Sequence, residues 1–176
     1  MAFGYTGKIL QVDLTNRKIE VEEQDDIFYR SHLGGRGIGY HYLLKRVPAG
    51  IDPFSPENMI VFATGVMTGA PIAASNRFSV IGKSPLTGTA GESEAAGFFG
   101  PELKMAGFDA VVFSGKAETP VYLWLTDGKA EIRDAAHLAA WGAREVEDAI
   151  REENGSPKIR VAQTGLAGMN LVRFAN

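Results

Sequence analysis

The sequence predicts an α+β fold in which an internal duplication yields two similar hairpin-helix-strand units, and their β-sheets carry a cradle for a ligand. Three observations support this. Alternating apolar residues mark a β-hairpin in each half of the chain. Each hairpin precedes a helix-period stripe and then a short apolar run, so the order of elements repeats. The halves, about 1–83 and about 109–176, are joined by residues 84–108, a glycine-rich loop with few side chains able to fill a core.

In the first half, Leu10, Val12 and Leu14 share one face of residues 8–14, Thr15-Asn16 turns, and residues 18–21 return with Ile19 and Val21. An acidic patch follows at residues 22–26. Tyr40, Leu43, Leu44 and Val47 then fall at i, i+3, i+4 and i+7, one stripe of an amphipathic helix over residues 37–47 that Pro48 ends. Residues 59–63 form an unbroken apolar run of the kind expected for a buried strand, and residues 77–82 alternate like another. Across residues 62–108 the abundance of Gly, Ala, Ser and Thr lets main chain approach a ligand closely. Within that stretch Gly100-Pro101 opens a short helix, with Pro101 expected at its first position.

The second half repeats the order. Residues 110–113 read as a strand, and residues 121–125 and 129–133 as a hairpin about Asp127-Gly128. Ala139, Ala143, Val146, Ala149 and Ile150 mark a second helix that Asn154-Gly155 ends, and residues 159–162 read as a strand. The run Thr164-Gly165-Leu166-Ala167-Gly168 echoes Thr64-Gly65-Val66-Met67-Thr68-Gly69, and Asn170 to Arg173-Phe174 echoes Asn76-Arg77-Phe78. No glycine-rich loop follows Arg173, so the sequence reads as one piece of a larger protein whose next segment supplies a second, facing loop.

Composition narrows the function classes. With 18 basic and 21 acidic side chains and no block of either sign, there is no electrostatic footprint for nucleic acid or an anionic membrane. The absence of a long apolar stretch or a leader-like start points to the cytoplasm. Zero cysteines exclude thiolate chemistry, cysteine-ligated zinc and iron-sulfur ligation by this chain. Gly34-Gly35-Arg36-Gly37-Ile38-Gly39 lacks both the preceding strand and the final glycine of a dinucleotide fingerprint, because Tyr40 stands there. Arg36 is accordingly expected at the surface or in a salt bridge. His32, His41 and His137 show no ligand spacing.

What remains is anion chemistry. Arg77 and Lys83 can clamp a phosphate, or else pair with Glu92 or Glu94 and hold the loop. The two glutamates can meet a hard cation such as Mg²⁺, or simply be solvated. The helix opening at Gly100 offers main-chain NH groups to an anion, or is merely capped.

Lys83-Ser84-Pro85-Leu86-Thr87-Gly88, together with Gly97-Phe98-Phe99-Gly100-Pro101-Glu102-Leu103-Lys104-Met105-Ala106-Gly107-Phe108-Asp109-Ala110, resembles the aldehyde:ferredoxin oxidoreductase family of tungsten enzymes. The likeness extends over essentially the whole chain, through Gly7-Lys8-Ile9-Leu10, Leu33-Gly34-Gly35-Arg36-Gly37, Asp52-Pro53-Phe54-Ser55-Pro56 and Gly115-Lys116-Ala117-Glu118. It implies an N-terminal domain, residues 1–176, on which a bis-pterin cofactor with tungsten or molybdenum sits near a [4Fe-4S] cluster. The cluster's ligands and the substrate pocket would lie outside this chain. By the same resemblance Arg77 matches an arginine at the pterin near the cluster. Glu94 and Ala96 fall where the family has an Asn and a Gly that meet the pterin phosphates and their Mg²⁺, and Gly97 is a cofactor contact beside them. Glu94 can offer Mg²⁺ an oxygen but no amide donor, and Ala96 leaves less room than Gly.

The implied activity is oxidation of an aldehyde to a carboxylic acid, with electrons leaving through the cluster to ferredoxin or another acceptor. The partners implied are the rest of the oxidoreductase, the carrier and the substrate; self-association is left open. No residue of the chain is expected to move a proton in the reaction, and the isolated chain is expected to be inactive. Two alternatives stand beside this reading: a non-enzymatic pterin-binding or assembly module, and an enzyme for another phosphorylated ligand.

Overall fold

A computed structural model describes residues 4–175, so the outermost residues of the two expected halves lie outside the described residues. The first hairpin pairs β1 (Lys8–Asp13) with β2 (Lys18–Glu23), Leu10 opposite Val21. Two helices follow where the sequence suggested one. The acidic patch runs from the end of β2 into α1 (Asp26–His32): the Asp25 carboxylate accepts from the Phe28 main-chain NH at 2.8 Å, satisfying one of the orphan donors of the first turn. After a turn at Gly34-Gly35 comes α2 (Arg36–Arg46).

Next are β3 (Met59–Thr64), β4 (Phe78–Lys83), β5 (Ala90–Ala95), α3 (Phe99–Met105) and β6 (Ala110–Ser114). They join the first hairpin in a six-stranded sheet of order β2-β1-β6-β3-β4-β5. Only the β1/β6 pair is parallel. The architecture is mixed α+β, as expected. β6 lies between β1 and β3, however, so the boundary drawn near residue 109 runs through the middle of one sheet.

Residues 84–108 are not a single loop. β5 occupies their centre because the outer edge of β4 needs partners for its main-chain NH and C=O groups, and the small residues of β5 supply them without bulk. Pro101 is the third residue of α3, not the first, since the helix begins at Phe99. The missing NH of a proline is tolerated there because first-turn donors have no intrahelical acceptor.

One face of the sheet buries Ile9, Val61, Ala63, Ile81, Ala110 and Val112 against Tyr29 of α1 and Ile38, Tyr42 and Leu43 of α2. The helix comes close because Gly39 faces Ile81; a Cβ there would overlap the isoleucine side chain. The other face buries Leu10, Val12 and Val111 with Leu103 and Phe99 of α3, and with a second hairpin, β7 (Val121–Thr126) and β8 (Lys129–Asp134). That hairpin forms its own two-stranded sheet. A 3-10 turn, Ala136–Leu138, and α4 (Ala143–Glu153) pack on it through Leu138 and Ile150.

The expected strand at residues 159–162 has no ladder. Ile159 and Val161 instead lie against the Leu138 and Ile150 cluster, and the Ile159 carbonyl accepts from Arg151 Nε at 3.1 Å. Beyond it come α5 (Gly165–Met169) and a turn, so the echo of Asn76-Arg77-Phe78 around Arg173 is not built as a strand like β4. Hairpin and helix thus recur in the second half, while the strands that follow the helix in the first half do not.

Asp109 ties the start of the chain to the sheet. Its buried carboxylate accepts from the Gly7 NH at 2.8 Å, the Thr6 NH at 3.0 Å and the Tyr29 hydroxyl at 2.7 Å. Burial and the adjoining carboxylate push the Tyr29 phenol far above its ordinary value, so Tyr29 stays a donor.

Candidate functional site

The charged residues of the glycine-rich stretch meet at one edge of the sheet. Glu92 and Glu94 on β5 stand opposite Ile81 and Ser79 of β4, so both carboxylates project on the face that α2 covers. Gly34-Gly35 brings α2 close to that edge. The Gly35 NH donates to the Thr64 carbonyl at 2.9 Å, and a Cβ on Gly35, whose φ is +48°, would lie 3.1 Å from Ser79 Oγ. Arg36, the first residue of α2, is thereby set over the two glutamates: its Nη2 is 2.7 Å from Glu94 and its Nε 3.0 Å from Glu92. The Tyr40 hydroxyl donates to Glu92 at 3.3 Å.

Arg77 enters from the other side. It immediately precedes β4, and its main chain is fixed because Thr68 Oγ1 accepts from the Gly65 NH at 2.8 Å and donates to the Arg77 carbonyl at 2.6 Å. Lys104 of α3 holds the same turn, donating to the carbonyls of Gly65 at 2.7 Å and Val66 at 2.9 Å. The Arg77 side chain is 63% exposed and reaches Glu94 at 3.8 Å. Bonding to Arg36, with a lesser contribution from Arg77, holds the Glu94 carboxyl below its ordinary value, and Glu94 in turn raises Arg36. Burial comes first in raising the Tyr40 phenol, with the charge of Glu92 second.

Ala96 and Gly97 follow β5 as an exposed turn into α3. Gly97 has φ +104° and nothing within 4 Å of where a Cβ would be, so its main chain is open to an incoming group. Of the two alternatives for Arg77, the structure shows the pairing with Glu94, and the side chain is otherwise open to solvent.

Lys83 is not part of the cluster. It ends β4, six residues from Arg77 and roughly 20 Å away at strand rise, too far for the two to clamp one phosphate. The second cation beside Arg77 is Arg36, which the sequence reading left as a surface or salt-bridge residue. It is 58 positions from Glu94 in the chain, and no local spacing signals the pairing.

Nor are all the histidines apart. His32 and His41 come together with ring centroids 4.3 Å apart, while His137 pairs with Glu153 at 2.7 Å. Among the described residues no group of three or more His, Cys, Asp or Glu forms a metal cage. A cleft of about 830 Å³ lies on the opposite face of the sheet, lined by Phe62, Phe113, Tyr122, Trp124 and Val161. Its lining is mostly apolar and includes neither Arg36 nor Arg77.

The donor set fits a phosphate-bearing group accompanied by a hard cation. Two exposed guanidiniums suit phosphate oxygens, carboxylate oxygens suit Mg²⁺, and Mg²⁺ commonly takes one or two carboxylates together with phosphates.

Comparison with known proteins shows the family. A family model described as aldehyde ferredoxin oxidoreductase, N-terminal domain, matches residues 9–176. The tungsten-containing aldehyde ferredoxin oxidoreductase of Pyrococcus abyssi is 47% identical over 98% of the chain, which spans 28% of that protein. The WOR-like subunit of aliphatic sulfonate oxidoreductase from Pyrococcus furiosus is 35% identical over 98% of the chain and 30% of its own length. Among solved structures, the active site complex BamBC of benzoyl coenzyme A reductase, bound to 1,5-dienoyl-CoA, superposes with a TM-score of 0.92 at 42% identity, over 96% of the chain and 26% of that structure's chain. The chain spans less than a third of the curated relatives it matches.

Proposed function

Since the chain belongs to the aldehyde ferredoxin oxidoreductase family, we propose that it is the tungstopterin-binding N-terminal domain of a cytoplasmic enzyme that oxidises aldehydes to carboxylic acids. The observation that carries this is the Arg77, Arg36 and Glu94 cluster beside the open turn at Ala96-Gly97. When bound, the bis-pterin tungsten centre supplies the two-electron chemistry, and electrons leave through a [4Fe-4S] cluster, ligated outside this cysteine-free chain, to ferredoxin or a similar carrier. The residues of this chain bind and orient. Arg77 neutralises cofactor charge, Glu94 offers an oxygen to the Mg²⁺ of the pterin phosphates, and Ala96 and Gly97 let main chain lie against the pterin.

Lys104 and Thr68 act one step back, by fixing the turn that carries Arg77. No side chain in the cluster is assigned a proton transfer. The 42% identity to the benzoyl coenzyme A reductase complex supports a second reading, in which the same platform serves reduction of an aromatic thioester.

The test uses the full-length protein and its Arg77→Ala variant. Tungsten content and pterin fluorescence are expected to fall at least about tenfold in the variant, the loss of a charge-assisted contact to phosphate. Aldehyde-dependent dye reduction should fall in parallel and be absent from the 176-residue chain alone. Cofactor retained in full by the variant would sink the reading. Reduction of benzoyl coenzyme A without aldehyde oxidation would favour the second.

A further inference from the structure

Arg36 is the least expected member of the cluster. Its guanidinium lies across both carboxylates, Nη2 on Glu94 at 2.7 Å and Nε on Glu92 at 3.0 Å, yet its side chain is 62% exposed. Nη1 has no hydrogen-bond partner among the described residues. Its backbone is not free to wander, because the Gly35 NH is bonded to Thr64 and a Cβ on Gly34 would lie 2.9 Å from the Thr64 carbonyl oxygen. A fixed base with an exposed planar fork is the arrangement that recognises phosphate.

The charges add a constraint. Two guanidiniums and two carboxylates sum to zero, so the resting cluster attracts neither an anion nor a cation strongly. Phosphate alone would leave an excess of negative charge, and Mg²⁺ alone would have to draw Glu94 away from Arg36. Arriving together they nearly cancel, since a phosphate monoester carries about −1.5 to −2.

We propose that Arg36 is a second phosphate-binding residue of the site, and that Glu94 serves as its internal stand-in anion until phosphate ester and Mg²⁺ bind together. This rests on the reading of the cluster as the seat of a phosphate-bearing cofactor with Mg²⁺. In the exchange, Arg36 passes from Glu94 to a phosphate oxygen, and the released carboxylate turns to the cation. No covalent bond changes. Binding of the two ligands is thereby coupled, each removing the competitor of the other.

The experiment titrates the 176-residue chain with methyl phosphate, with and without Mg²⁺, by calorimetry, alongside its Arg36→Gln, Glu94→Gln and Arg77→Gln variants. In the wild type, Mg²⁺ is expected to tighten methyl phosphate about tenfold, within the ordinary range of site-to-site coupling. Arg36→Gln should weaken methyl phosphate by about tenfold and abolish that enhancement, while binding Mg²⁺ alone more tightly than the wild type does. Glu94→Gln should bind methyl phosphate independently of Mg²⁺. Because Arg36 and Glu94 are exposed, the variants are expected to keep the wild-type circular dichroism.

If Arg36→Gln matches the wild type in both affinity and Mg²⁺ dependence while Arg77→Gln is weakened, the role of Arg36 falls and the cofactor seat stands. If the wild type binds methyl phosphate no better than Arg77→Gln does, the reading of the cluster falls, and the proposal with it.

Discussion

His32 and His41 come together where the C-terminal end of α1 meets α2, their ring centroids 4.3 Å apart and Phe28 packed against both. Burial holds the His41 imidazole below its ordinary value of 6.5, and His32, Lys45 and Arg46 add like charge that Glu22 only partly offsets. A base whose folded-state value is depressed binds fewer protons folded than unfolded, so stability is full above about pH 6.5 and is lost as the pH falls through the lower folded value. Urea midpoints are therefore expected to drop between about pH 7.5 and about pH 5 in the wild type, and to drop less in His41→Gln. Glu94 and Asp13, both held below their ordinary values, give the same sign of dependence, but only below about pH 4.5. Parallel curves for the wild type and the variant above pH 5 would rule out this account of the histidine pair.

The same helices meet through glycine. A Cβ on Gly37 would overlap the main-chain carbonyl of His32, so α2 can leave the turn beside α1 only because that atom is missing. Gly37→Ala is expected to lower stability by about 1–3 kcal/mol, the range for overpacking against atoms that cannot move aside. Its sign is the informative part, because alanine is the better helix former by about 1 kcal/mol and an exposed glycine would show a gain. A stabilised variant in a thermal melt would mean that α1 and α2 separate easily. Glycines of this kind explain which elements could be read from the sequence. The hairpins, α2, β3, β4, β6 and α4 each announce themselves by local alternation, an unbroken apolar run or a helical stripe, and they stand close to where that pattern puts them. β5 has no such pattern: Ala90-Gly91-Glu92-Ser93-Glu94-Ala95 is a strand because the edge of β4 requires a neighbour. The converse error is at residues 159–162, where a short apolar run suggested a strand but no strand lies alongside. α1 escaped because it is seven residues long and its Ile27 points to solvent. At the site, Arg77 and Glu94 could be named from residue type and resemblance, whereas Arg36 required the tertiary fold to bring α2 over β5.

At the scale of the molecule, one chain carries a deeply buried sheet and a less buried appendage. β6 is flanked by β1 and β3, and its Ala110, Val111 and Val112 are nearly inaccessible on both faces of the sheet. The β7/β8 hairpin pairs only with itself, every residue of β7 is half-buried, and α5 buries none of its residues. Opening free energies follow buried contacts and shielded hydrogen bonds, so amide exchange is expected to be slowest in β6, β1 and β3 and at least about a hundredfold faster in β7, β8 and α5. Mass-spectrometric hydrogen exchange on the 176-residue chain resolves these segments, and equal protection in both sheets would show that they open as one unit. The distinction bears on the site. Arg77 is anchored through Thr68 and Lys104 to the turn that leaves β3, and Arg36 through Gly35 to Thr64 at the end of the same strand. Both guanidiniums are thus anchored at the end of β3, and the hairpin reaches them only through α3, whose Ala106 carbonyl accepts from the Gly128 NH at 2.7 Å. A cofactor seat built this way holds its geometry while β7 and β8 open, and ligand at Arg36 and Arg77 should slow exchange at residues 64–68 before it affects β7 at all.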